Sequence, residues 1–102
     1  MDLKPGSRWR SAVCDTEVVV VRAPAAPATL SIGGTGALPA DAARLTAAQP
    51  EESLASGTML GKRYADEATG LEVLCTKAGA GAITVDGRRA TVRTPRQLPA
   101  SD

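Results

Sequence analysis

Four consecutive valines, Val18 to Val21, lie inside the segment Thr16–Arg22 and constrain this chain more than any other stretch. Branching at Cβ leaves valine one strongly preferred χ1 and suits it to a pleated surface better than to a helix. The run therefore predicts a strand over Thr16–Arg22. Its lack of alternation predicts cover on both faces, and so a central place in the sheet. Just upstream stand the only tryptophan, Trp9, and the first cysteine, Cys14. A short strand over Arg8–Val13 and a tight turn at Cys14-Asp15 would deliver the chain into the valines.

Proline and glycine punctuate the chain on both sides of this strand. Pro5-Gly6 is a turn dipeptide ahead of the first strand. Pro24 and Pro27 disfavour helix in the next connection, through their own rings and through the residues before them. Ala28–Ile32 reads as a short returning strand, and Gly33 to Gly36 as a flexible turn. The glycines lack the Lys-Ser/Thr spacing of a phosphate loop. Residues 39–56 read as a loop with at most one or two helical turns, since Pro50 stops any longer helix. Strand character resumes over Thr58–Tyr64 and Leu71–Lys77, with turn residues over Asp66–Gly70. In the second of these strands Leu71, Val73 and Cys75 share one face. Asp86-Gly87 between Ala82–Val85 and Arg88–Arg93 predicts a hairpin with a type I′ turn.

The expected fold is mostly β: a small antiparallel sheet or partly open barrel in one domain of 102 residues. It divides into residues 1–38, a connection over 39–56, and a β-meander over 57–102. Hydrophobic residues make up 43% of the chain, but aromatics only 2%. A core this thin calls for completion by a partner or by a second copy, so a homo-oligomer or a protein partner is expected.

Composition also removes function classes. The chain has no histidine, which takes away the commonest general base and every imidazole–metal site. Twelve basic and eleven acidic side chains nearly balance, so no global charge draws the chain to nucleic acid or to an anionic membrane. No apolar run reaches the roughly 20 residues of a membrane span, and the first residues lack the pattern of a signal peptide. A cytoplasmic protein with free thiols is the expectation.

One stretch resembles a known family. Trp9, the knuckle Ser11-Ala-Val-Cys14, the valine strand and Thr29-Leu-Ser-Ile-Gly-Gly34 together look like the desulforedoxins, small iron proteins related to rubredoxin. The resemblance covers Trp9 to Leu38. It implies a rubredoxin-like fold for the N-terminal half and a tendency to dimerise. It also places the four metal-ligand positions on Ser11, Cys14, Ile32 and Gly33, of which only Cys14 is a thiol. A tetrahedral thiolate site needs four soft ligands, so the resemblance does not carry the electron-transfer role with it. The whole chain also resembles a group of small uncharacterised bacterial proteins, which implies no activity.

The residues leave several readings open. Cys14 is either a leftover thiol packed as a small hydrophobe or the remnant of a metal or redox site, with Cys75 as its possible second member. Cys75, on the face of Leu71 and Val73, reads first as a core residue. Arg89 and Arg93 fall on one side of an alternating strand, where they would either track phosphates or charge an edge against aggregation. Asp66-Glu67 beside Lys62 and Tyr64 is the densest cluster for acid–base chemistry, yet turn aspartates usually bond their own backbone. The sequence thus points to a non-catalytic binding or structural module without a cofactor. A thiol or metal protein built on Cys14 is the first alternative, and a weak nucleic-acid binder the second.

Overall fold

The computed structural model describes residues 1–42 and 57–93. The described residues form ten short strands and no helix, and so no helix long and apolar enough to cross a membrane. The strands are β1 (Arg8–Arg10), β2 (Glu17–Arg22), β3 (Leu30–Ile32), β4 (Thr35–Gly36), β5 (Leu38–Pro39), β6 (Arg63–Ala65), β7 (Glu72–Lys77), β8 (Ile83–Val85), β9 (Arg88–Arg89) and β10 (Thr91–Arg93). A six-stranded sheet has the order β10-β6-β7-β2-β1-β5, and a four-stranded sheet the order β4-β3-β8-β9. Every pairing is antiparallel. The mostly-β expectation holds, and β2 takes the expected central place in its sheet.

Both strand orders read the same from either end. β1 to β5 recur, in order, as β6, β7, β8, β9 and β10. The sequence carries the repeat as well: Gly6, Arg8, Trp9, Glu17 and Val18 correspond to Gly61, Arg63, Tyr64, Glu72 and Val73. After the loop over 23–29, and its shorter counterpart over 78–82, Leu30, Ile32, Gly34 and Ala37 correspond to Ile83, Val85, Gly87 and Ala90. The halves are related by a pseudo-two-fold axis. It passes between Val19 and Leu74, equivalent residues that pair with one another, and again between Ser31 and Thr84. About the axis, the pair Val18–Cys75 mirrors Val73–Val20, and Leu30–Val85 mirrors Ile83–Ile32.

Backbone hydrogen bonds repeat in the same way. The Gly6 amide donates to the Val20 carbonyl at 2.7 Å, and the Gly61 amide to that of Cys75 at 2.9 Å. The Ser11 amide donates to Thr16 at 2.9 Å, and the Asp66 amide to Leu71 at 2.8 Å. Each half also ends in a two-residue hairpin turn with positive φ at both central residues: 68° and 90° at Gly33-Gly34, 50° and 82° at Asp86-Gly87. That pattern is the type I′ turn, whose twist matches the flanking strands.

The core fills the space between the two sheets. Trp9, Val18 and Val20 from the first half meet Tyr64, Val73 and Cys75 from the second, with Leu30, Ile32, Ile83 and Val85 beneath them. β2 and β7 share one burial pattern, alternating along their first residues and exposed at their last two. Each half supplies what the other lacks. Burying apolar surface yields about 25 cal/mol per Å², and here that burial is achieved across a seam within one chain.

Several local expectations give way to this arrangement. β2 is not covered on both faces: Val18 and Val20 are buried, Val19 is half-buried, and Val21 is 39% exposed. The strand expected over Thr58–Tyr64 is broken. Thr58 makes an isolated bridge to Gly79, residues 60–61 turn, and only Arg63–Ala65 is a strand. The strand expected over Arg88–Arg93 splits at Ala90, with β9 in one sheet and β10 in the other, because the hairpin must cross the sandwich. The same crossing in the first half makes Thr35–Gly36 a strand rather than part of a loose turn, and puts Pro39 on an edge strand rather than in a helical turn. A proline lacks the amide a central strand needs, so the edge is where it fits. The rest of the expected loop, residues 43–56, lies outside the described residues.

Candidate functional site

The repeat gives the chain two equivalent bent turns, Ser11–Thr16 and Asp66–Leu71, a first and a second knuckle in shape alone. In the first, the Ser11 hydroxyl accepts from the amides of Val13 (3.0 Å) and Cys14 (3.1 Å). A hydroxyl two residues upstream is the usual local cap of such a turn. Ser11, Ala12, Val13 and Thr16 are buried, and Cys14 is half-buried. The Cys14 thiol donates to Thr16 Oγ1 at 3.3 Å and accepts from the Gly81 amide at 3.4 Å. The second half closes tightly over this knuckle. A Cβ on Gly81 would come within 2.9 Å of the Gly33 backbone, and one on Gly79 would run into Thr16. Glycine is required at both places by the approach of backbone to backbone.

The setting shapes the thiol. Burial pushes the Cys14 pKa up, but hydrogen bonds with Ser11, Thr16 and the Gly81 amide outweigh it, leaving the thiol below its ordinary value. Arg10 takes no part, because its guanidinium reaches the Ala42 carbonyl at 3.3 Å. Cys75 behaves differently. It is 1% exposed in the core, as its neighbours predicted, and burial pushes its thiol up. Both cysteines are free thiols.

The second knuckle has the same backbone and different chemistry. Asp66 stands where the first has Ser11, and its Oδ2 accepts from the Thr69 amide (3.2 Å) and the Thr69 hydroxyl (2.7 Å). Thr69 stands where the first has Cys14. Arg88 closes the site from the hairpin, with Nε 3.2 Å from Asp66 Oδ1 and Nη2 2.9 Å from Oδ2. A forked guanidinium–carboxylate pair of this kind is the strongest common ion pair. The hydrogen bonds from Arg88 hold the Asp66 carboxyl down at about 2. Asp86 lies 3.7 Å from Arg88 Nη2, and its Oδ1 accepts from the Thr29 amide at 2.8 Å.

Of the four positions implied by the resemblance, the fold brings three close together. Ser11 and Cys14 share a turn, and Gly33 lies beside Cys14 across Gly81. Ile32 is wholly buried in the core. The corresponding positions of the second half hold Asp66, Thr69, Val85 and Asp86. Among the described residues no group of three or more His, Cys, Asp or Glu is placed to hold a metal ion.

The arginine row expected from strand alternation is not assembled. Arg89 is on the four-stranded sheet. Arg93 is on the edge of the other, with Nε 3.9 Å from Glu72. The acid–base cluster expected around Asp66-Glu67 is rearranged too. Asp66 is tied to Arg88 as an ionised carboxylate, and the Tyr64 hydroxyl accepts from the Met59 amide at 2.8 Å. Sequence reasoning gave Arg88 no place in a site. A search for internal repeats would have found one, because aligning the halves sets Asp66, Asp86 and Arg88 against the uncharged Ser11, Gly33 and Thr35.

One further concavity lies at the second-half end of the sandwich. A groove of about 250 Å³ is lined by Met59, Tyr64, Ile83, Ala90 and Val92, with Arg89 on its wall. Met59 and Val92 are 59% and 50% exposed. Their counterparts in the first half are Lys4 and Pro39.

Compared with known proteins, the chain matches no family model, no curated protein and no solved structure.

Proposed function

We propose that this is a non-catalytic binding or structural module that works as an accessory subunit beside a protein partner. The observation that carries the reading is the paired knuckle. Two turns stand at equivalent places in the halves, and in neither do the residues at the positions the resemblance implies form a soft-ligand set. Self-association was expected because the core is thin. The pseudo-two-fold supplies the second copy within the chain, so the accessory form of the reading is favoured over a homodimer. The exposed Met59 and Val92 at one end add support, since apolar surface gathered in a concavity is characteristic of interaction sites. Native mass spectrometry of the untagged chain tests this directly. The expected result is a folded species at the single-chain mass of 10.4 kDa with no bound metal. Stoichiometric metal or an obligate dimer would overturn the reading.

A second reading keeps a specific observation behind it. Cys14 is half-exposed and sits among hydrogen bonds that favour its thiolate, the setting of a reactive rather than an inert cysteine. If thiol chemistry is the function, native protein reacts with one equivalent of a disulfide reagent, and Cys14→Ser abolishes it. Unaltered reactivity in that variant sinks the idea.

A further inference from the structure

We infer that Asp66, Asp86 and Arg88 form a latch, a feature of the second half alone, that holds the second knuckle shut in place of the burial that shuts the first. The inference goes beyond the proposed function and stands without it.

Three observations carry it. The first knuckle is closed by packing. Ala12 and Val13 are buried, and Gly79 and Gly81 approach Thr16 and Cys14 so closely that a Cβ has no room. The second knuckle is not packed in this way. Glu67 and Ala68, the counterparts of the buried Ala12 and Val13, are both exposed, and a backbone contact from the first half is the Ala25 amide on the Thr69 carbonyl at 2.7 Å. Finally, three neutral positions of the first half, Ser11, Gly33 and Thr35, are all charged in the second, and the three charges meet. A carboxylate whose side chain is 5% exposed is costly without a cation beside it, so Asp66 depends on Arg88. Asp86 extends the latch across the seam by accepting from Thr29, a residue of the first half.

The amides of the second knuckle report on the latch. Those of Thr69, Gly70 and Leu71 are bonded to Asp66 Oδ2, the Asp66 carbonyl and Thr69 Oγ1 respectively. The experiment is amide hydrogen exchange on the full chain, wild type against Arg88→Ala and Arg88→Lys. The inference expects protection at Thr69, Gly70 and Leu71 to fall by about tenfold or more in Arg88→Ala. Protection at Ser11, Val13 and Cys14, and at Val20 and Cys75 in the central strands, should be kept. Methylguanidinium should restore part of the loss. Arg88→Lys retains the charge without the fork, should lose an intermediate amount, and provides the measurement if the alanine variant does not fold. Two results would overturn the inference: unchanged protection at Thr69 to Leu71, or a loss spread evenly over both knuckles and the central strands, which would make Arg88 a contributor to global stability alone.

Discussion

In the first knuckle a neutral serine caps the turn, and Ala12 and Val13 are buried around it. In the second a charged aspartate caps the equivalent turn, while Glu67 and Ala68 are both exposed. One backbone bond is common to both, from Ser11 to Thr16 and from Asp66 to Leu71. Packing against glycines holds one, and a forked ion pair holds the other. Where cover from the opposite half is close, a small neutral side chain suffices. Where the turn residues stay exposed, a charge brought in from the neighbouring hairpin takes over. The difference also separates the chemistry: the packed knuckle retains a thiol, and the latched one retains none.

If the halves share one core equally, equivalent core residues should be worth the same. Leu30→Ala and Ile83→Ala remove equivalent side chains, 0% and 3% exposed. Each should cost about 3–4 kcal/mol in chemical denaturation. A cost near 1 kcal/mol for either would mean that its half contributes little to the core. Next in size is the packed seal. Gly79→Ala forces a methyl into Thr16 and should cost about 1–3 kcal/mol. Gly36→Ala, with nothing within 4 Å of the added carbon, should change stability by less than about 1 kcal/mol. Equal effects from the two glycine variants would remove close approach as the seal of the first knuckle.

The smallest expected effect separates the knuckles by pH. Asp66 has its folded pKa lowered to about 2, against about 4 for a free carboxyl. Its contribution is therefore fully present above pH 4 and is lost as pH falls through about 2. Thermal melts should show Asp66→Asn less stable than wild type at pH 6, with the gap closing toward pH 2. The gap between Ser11→Ala and wild type should not change over that range, since a serine cap does not titrate there. A constant gap for Asp66→Asn would contradict the latch.

The sequence made the local β pattern legible. The valine run marked β2 as central, Asp86-Gly87 marked its hairpin, and the alternation of Leu71, Val73 and Cys75 marked a buried face. What it concealed was the relation between the halves. The repeat is written in shared chemical character rather than identity: Trp9 becomes Tyr64, Leu30 becomes Ile83, and the Gly33-Gly34 turn becomes Asp86-Gly87. Unequal loops break its register. Reading Arg88–Arg93 as one strand hid the sheet crossing at Ala90, because two short strands joined by one residue carry the same alternation as one long strand. It also put Arg89 and Arg93 on a common face they do not share. Cys14 was legible as a candidate from its place in the knuckle. Its hydrogen-bond partners, Thr16 and Gly81, were not both so, since Gly81 reaches it only when the second half closes over the first.

A single chain carries both halves of this two-fold unit and seals its own core. An isotope-filtered NOE experiment on a mixture of labelled and unlabelled chains tests this most directly. Cross-strand contacts from Val19 to Leu74 and from Ser31 to Thr84 are expected, all within one chain. Contacts between labelled and unlabelled chains at those positions, or no contact between the halves, would contradict it.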